Sequence, residues 1–122
     1  MNELIERLVS SAGIDRATAE KAVGIIFDFL LKDGPTETVQ AMLDKLPGAA
    51  DLVAAEQANA GAGGFVGMGG VMAAGQRLMA AGLSMDQVQT VTREVVAYSR
   101  EHAGEDAVGE IVGAIPGLGQ FV

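Results

Sequence analysis

"VGIIFDFLL", residues 23–31, sets eight apolar or small residues around a single aspartate, Asp28. A helix carrying this run is apolar over most of its circumference, and such a helix is central, packed on several sides. Composition points the same way. About half of the 122 residues are apolar, yet only four are Phe, one is Tyr and none is Trp. A core of Leu, Ile, Val, Met and many Ala suits closely packed helices, whereas strands would enrich aromatic and β-branched residues.

Working outward, Gly13 fits a left-handed helix stop and Asp15 fits the cap of the central helix, expected over about 16–32. Upstream, Leu4, Ile5, Leu8, Val9 and Ala12 share one face of a first helix from Asn2. Downstream, "DGP" (33–35) ends the central helix, because proline cannot continue a helix but can begin one. A third helix to about Leu46 buries Val39, Met42, Leu43 and Leu46. Asp28 shares a narrow stripe with Gly24, Lys21 and Lys32, which predicts an exposed aspartate weakly paired with Lys32. Glu3, Glu6, Asp51 and Glu56 are likewise expected on solvated faces.

The chain then repeats itself. "LPGAADLV" (46–53) returns as "IPGLGQFV" (115–122), a shift of 69 residues. The same shift carries Gly13 to Gly82 and the cap Asp15 to Ser84, which forms a capping-box pattern with Gln87. It carries Ile26, Phe27 and Phe29 to Val95, Val96 and Tyr98. One gap before the glycine aligns Arg7-Leu8 with Arg77-Leu78. Agreement at caps, core and punctuation together predicts an internal duplication, with a second long helix over 85–101.

A unit of about 50 residues stabilises itself poorly alone, so the halves should share one core. The expected fold is all-α: a compact six- or seven-helix bundle made of two similar three-helix repeats with approximate internal two-fold symmetry. The single domain divides into repeat one (2–53), a Gly/Ala/Met-rich connector (54–70) and repeat two (71–122). Phe121 and Val122 should dock as Leu52 and Val53 do.

A helix is expected from Ala49 to about Ala60, then a glycine connector and the first helix of the second repeat; the region "ANAGAGGFVGMGGVMAAGQ" (58–76) carries no charge. Its seven glycines make a transmembrane helix a poor reading. A phosphate loop fails on spacing, since Met72 stands where the third glycine of a Gly67-x-Gly69 fingerprint belongs. Phe65, Val66, Met68, Val71 and Met72 are nevertheless apolar, so the stretch should be covered either by its own bundle, the favoured reading, or by a partner. These five residues are the candidate apolar interaction surface, because Met-rich, adaptable surfaces suit hydrophobic binding.

Chemistry is sparse. The net charge is −8 and both halves are acidic, so no basic stripe meets nucleic acid or an anionic membrane. With no cysteine, thiolate catalysis and Cys-ligated metals are excluded. The lone histidine, His102, lies near Glu101, Glu105 and Asp106. Gly104 should end one helix there, leaving the two acids in the first turn of the next, where they favour its dipole. Neither a metal site nor a cofactor is expected. Ser84 is spent as a cap, no base–nucleophile pair assembles, and the chain is read as a non-enzyme. The opening "MNELIERL" lacks the basic and apolar run of a signal peptide, which predicts a cytoplasmic location.

The pattern of "LIERLVSSAGIDRATAEKAVG" (4–24), the later "LPGAADLV", a Gly/Ala centre and "IPGLGQFV" resembles the bacterial VcgC/VcgE-like helical proteins of unknown function. The resemblance implies an all-α fold and a bacterial source, and brings no catalytic or binding residue with it. Two functions remain in play. One is a protein-binding or self-associating module, a homo-oligomer or a binder of another helix. The other is a carrier of a small apolar ligand between the repeats, with Met68, Met72 and Met79 lining its cavity.

Overall fold

The computed structural model describes residues 2–60, 70–115 and 117–120. Among them are seven α-helices, one 3-10 turn and no strand: α1 (Asn2–Ala12), α2 (Arg16–Asp33), α3 (Thr36–Asp44), α4 (Ala49–Ala60), α5 (Gly70–Ala80), α6 (Met85–Ala103), α7 (Glu105–Ala114) and the 3-10 turn Leu118–Gln120. The all-α bundle expected from the sequence is the fold found.

The helix limits follow from local chemistry. Asp15 caps α2 by accepting the Thr18 N–H at 2.9 Å. Ser84 and Gln87 form a full capping box at the start of α6. The Gln87 amide also donates to the Ala12 carbonyl at 2.9 Å, tying the end of α1 to the start of α6. Gly13 and Gly82 end α1 and α5 with φ of 69° and 110°, values a side chain rarely tolerates. Gly104 separates α6 from α7 and puts Glu105 and Asp106 in the first turn of α7.

The central helix is α2. Residues Ala22 through Leu30 are all buried, and α2 touches α1, α3, α4, α5 and α6. The closest approach is to α4. A Cβ on Gly24 would stand 2.7 Å from the Leu52 carbonyl oxygen and 3.2 Å from the Glu56 Cβ. Partners cross between the halves: α1 lies on α6, α5 lies on α2, and α3 meets α7. Leu4, Ile5, Leu8, Phe27, Val39, Met42, Val91 and Ile111 fill the shared core.

Some sequence-based limits shift. The helix expected from Ala49 to about Ala60 is found as α4, so residues 54–60 of the connector are helical, and α5 begins at Gly70. The third helix stops at Asp44, and Leu46 is buried just beyond it. Phe121 and Val122 lie outside the described residues. No helix among the described residues is long and apolar enough to cross a membrane.

Candidate functional site

Helix α5 has two chemically different faces. One carries Arg77 into a buried polar cluster with α2 and α4, and the other forms a wall of an apolar cleft.

At the polar face, Asp28 is fully buried, at 0% exposure. This corrects the expectation of an exposed aspartate. Its Oδ1 accepts from the Gln57 amide at 3.1 Å. Its Oδ2 lies 3.1 Å from Lys32 Nζ and 3.2 Å from Arg77 Nη1. The second Arg77 nitrogen, Nη2, donates to Glu56 Oε1 at 3.0 Å. Glu56 is buried too, again against expectation. The reason is α4: it lies close enough on Gly24 to cover the stripe that a lone α2 would show to water. Lys21 and Lys32 stay exposed at its margin. Burial alone pushes the Asp28 carboxyl up, but the hydrogen bonds from Gln57, Lys32 and Arg77 outweigh it and hold the group below its ordinary value.

A cleft of about 110 Å³ lies against the other side of α5. Ile26 and Phe29 of α2, Ala74, Gly75 and Leu78 of α5, Val88 of α6 and Leu118 of the 3-10 turn line it. Both sequence halves therefore contribute walls. Its polar lining side chains are Gln76 and Thr92, and the Thr92 hydroxyl is already donated to the Val88 carbonyl at 2.8 Å. Three methionines rim the cleft with high exposure: Met72 at 73%, Met85 at 55% and Met79 at 47%. Thioether side chains are flexible and polarisable, so such a rim adapts to varied apolar shapes.

Of the sequence-predicted surface, Met72 stands exposed at this rim and Val71 is half-buried in its wall. Phe65, Val66 and Met68 lie outside the described residues. Sequence reasoning named Met79 as a lining residue but missed Met85, Ile26 and Phe29. The signal for Met85 was an apolar residue directly after a helix cap, where a polar one is usual. The acid–histidine group is dispersed: His102 stacks its ring 4.2 Å from that of Tyr98, while Glu101 pairs with Arg7 at 2.9 Å. Among the described residues no three His, Cys, Asp or Glu side chains converge as a metal site.

No family model, curated protein or solved structure matches the chain.

Proposed function

We propose that the protein is a non-enzymatic binding module whose cleft receives an apolar side chain of another protein segment. The observation that carries this reading is the cleft itself: apolar walls, a methionine rim and, among the described lining residues, one hydroxyl, Thr92, already committed to Val88. Size separates the two functions considered. At about 110 Å³ the cleft is smaller than the cavity of about 150 Å³ that houses a benzene ring. Pockets for whole small ligands run to about 300–1,000 Å³. A single leucine-sized side chain fits, which favours a protein partner over a carried ligand.

One observation keeps the carrier reading alive as second: the cleft lies between the halves and Met72 and Met79 line it, as that reading requires. Native mass spectrometry and sedimentation of the purified chain separate the two. An oligomer, or a complex with an added apolar-faced helix, supports the binding module. A co-purifying apolar mass released on unfolding replaces it with the carrier. A monomer with neither property refutes both.

A further inference from the structure

Helix α5 is joined to the bundle by little apolar burial and much charge. From Val71 to Ala80 the buried residues are Ala74 and Leu78, at 7% and 2% exposure. The helix it lies against, α2, buries every residue from Ala22 through Leu30. One alanine and one leucine make a thin seam, and the cleft takes up part of the space that α5 shares with α2 and α6. A gap of this kind forfeits the dispersion contacts that a filled core would make. Gly75, inside the helix, lowers its intrinsic stability further. Arg77 is the single charged residue of α5, and it does what the seam does not. Only 18% exposed, it holds Asp28 of α2 at 3.2 Å and Glu56 of α4 at 3.0 Å.

We propose that α5 is a latched wall. It opens from the bundle as one unit while α2, α4 and α6 stay folded, and Arg77 sets how often the cleft loses that side. Units with few buried apolar contacts open below the threshold for global unfolding. Opening breaks a short apolar seam and lets water reach Arg77, Asp28 and Glu56, so the freed charges are hydrated and not stranded. Asp28 keeps Lys32 and Gln57 throughout, since neither belongs to α5. Met72 and Met79 leave with α5, whereas Met85 remains on α6. The charges on one face of α5 thereby govern the apolar wall on its other face. This holds whatever the cleft receives.

Native-state hydrogen exchange of the full chain, followed by NMR through sub-denaturing urea, tests the latch. The Leu78 and Ala81 amides report on α5, and those of Phe27, Leu30 and Val95 report on α2 and α6. The α5 amides should exchange at least about tenfold faster without urea, and with a shallower urea dependence, because one helix exposes less surface than the whole chain. A single rate and slope for all five overturns the inference. Met42→Ala lies in α3, which packs on α2, α4 and α7. It should speed exchange in α2 and α6 and leave α5 unchanged, because Met42 stays in place when α5 opens. Val39→Ala, also in α3, serves should Met42→Ala unfold. Acceleration of α5 by the same factor as α2 would merge its opening with global unfolding and overturn the inference. Arg77→Met should speed the α5 amides about a hundredfold, the worth of one buried cation. Arg77→Lys, which keeps one of the two contacts, replaces it with a smaller acceleration should Arg77→Met unfold. Unchanged α5 exchange in a folded Arg77 variant means that Arg77 is no latch, and overturns the inference.

Discussion

The Asp28 carboxylate of α2 lies 3.2 Å from the Arg77 guanidinium of α5, and this contact sets the wall of the cleft against the central helix. Arg77 forks between Asp28 and Glu56, so one side chain joins three helices. Lys32 reaches the same Asp28 oxygen from the solvent side. A planar guanidinium suits this double duty as an ammonium does not.

Arg77→Met should therefore be strongly destabilising. It leaves Glu56 buried without its cation and Asp28 with only Lys32 and Gln57. Removing one member of a buried ion pair costs about 3–5 kcal/mol, and the surviving Lys32 contact places this case near about 3. Urea unfolding measures it. Arg77→Lys should fall between the two, because one ammonium cannot fork to both carboxylates. An unchanged unfolding midpoint in Arg77→Met would show that the cluster adds nothing to stability.

The same cluster predicts an acid limb in stability. Asp28 sits below its ordinary value of 3.8 in the fold: burial raises it, but hydrogen bonds from Gln57, Lys32 and Arg77 prevail. A carboxyl with a depressed folded pKa stabilises the fold above its unfolded pKa, and that stability is lost as pH falls through the folded value. Thermal unfolding should hold from neutral pH down to about 4 and then decline. Asp28→Asn should begin less stable and decline less steeply. A parallel decline in wild type and variant would assign the acid limb to other carboxyls. Asp15, lowered by its Thr18 cap bond, is the control for a second such group.

Punctuation and the core were legible in the sequence. Gly13, Asp15, Gly82, Ser84 and Gly104 bound helices where residue type alone puts boundaries, because caps and left-handed turns depend on a few neighbouring atoms. Asp28 was not legible. Its periodic neighbours Lys21 and Lys32 are exposed, and a helical wheel reports only which residues share a face, not whether a polar neighbour covers it. Gly24, one turn before Asp28, was the overlooked sign, since a glycine inside a buried helix marks close approach by another backbone. The cleft escaped for a related reason. Its walls come from α2, α5, α6 and the 3-10 turn, and Ala74 and Gly75 of α5 show in the sequence only as small residues of an uncharged stretch.

Those two glycines should respond in opposite directions to the same change. Gly24→Ala drives a methyl to 2.7 Å from the Leu52 carbonyl oxygen, a backbone atom that cannot step aside without moving α4. The expected cost is about 1–3 kcal/mol, that of overpacking a tight core, lessened by better helix propensity. Among the described residues, Gly75→Ala meets no atom within 4 Å, and it should stabilise by about 0.5–1 kcal/mol. Denaturant midpoints of the two variants give the comparison. Destabilisation by Gly75→Ala would mean that the space beside α5 is already filled.

Oxidation offers a way to disable the cleft without touching its walls. Met72, Met79 and Met85 stand exposed at the rim, while Met42 is buried in the core. Dilute peroxide should convert the rim methionines to sulfoxides first and Met42 last, a sequence that peptide mass spectrometry resolves. Sulfoxide is polar and carries an oxygen that an apolar occupant cannot satisfy, so docking should weaken. The fold should survive, because the rim side chains lie outside the packed core. Loss of helical circular dichroism in step with rim oxidation would instead make those methionines part of the core. Retained binding after their conversion would remove them from the docking surface. Methionine sulfoxide reductase then completes the experiment: restoring the thioethers should restore binding, which irreversible damage elsewhere in the bundle would not allow.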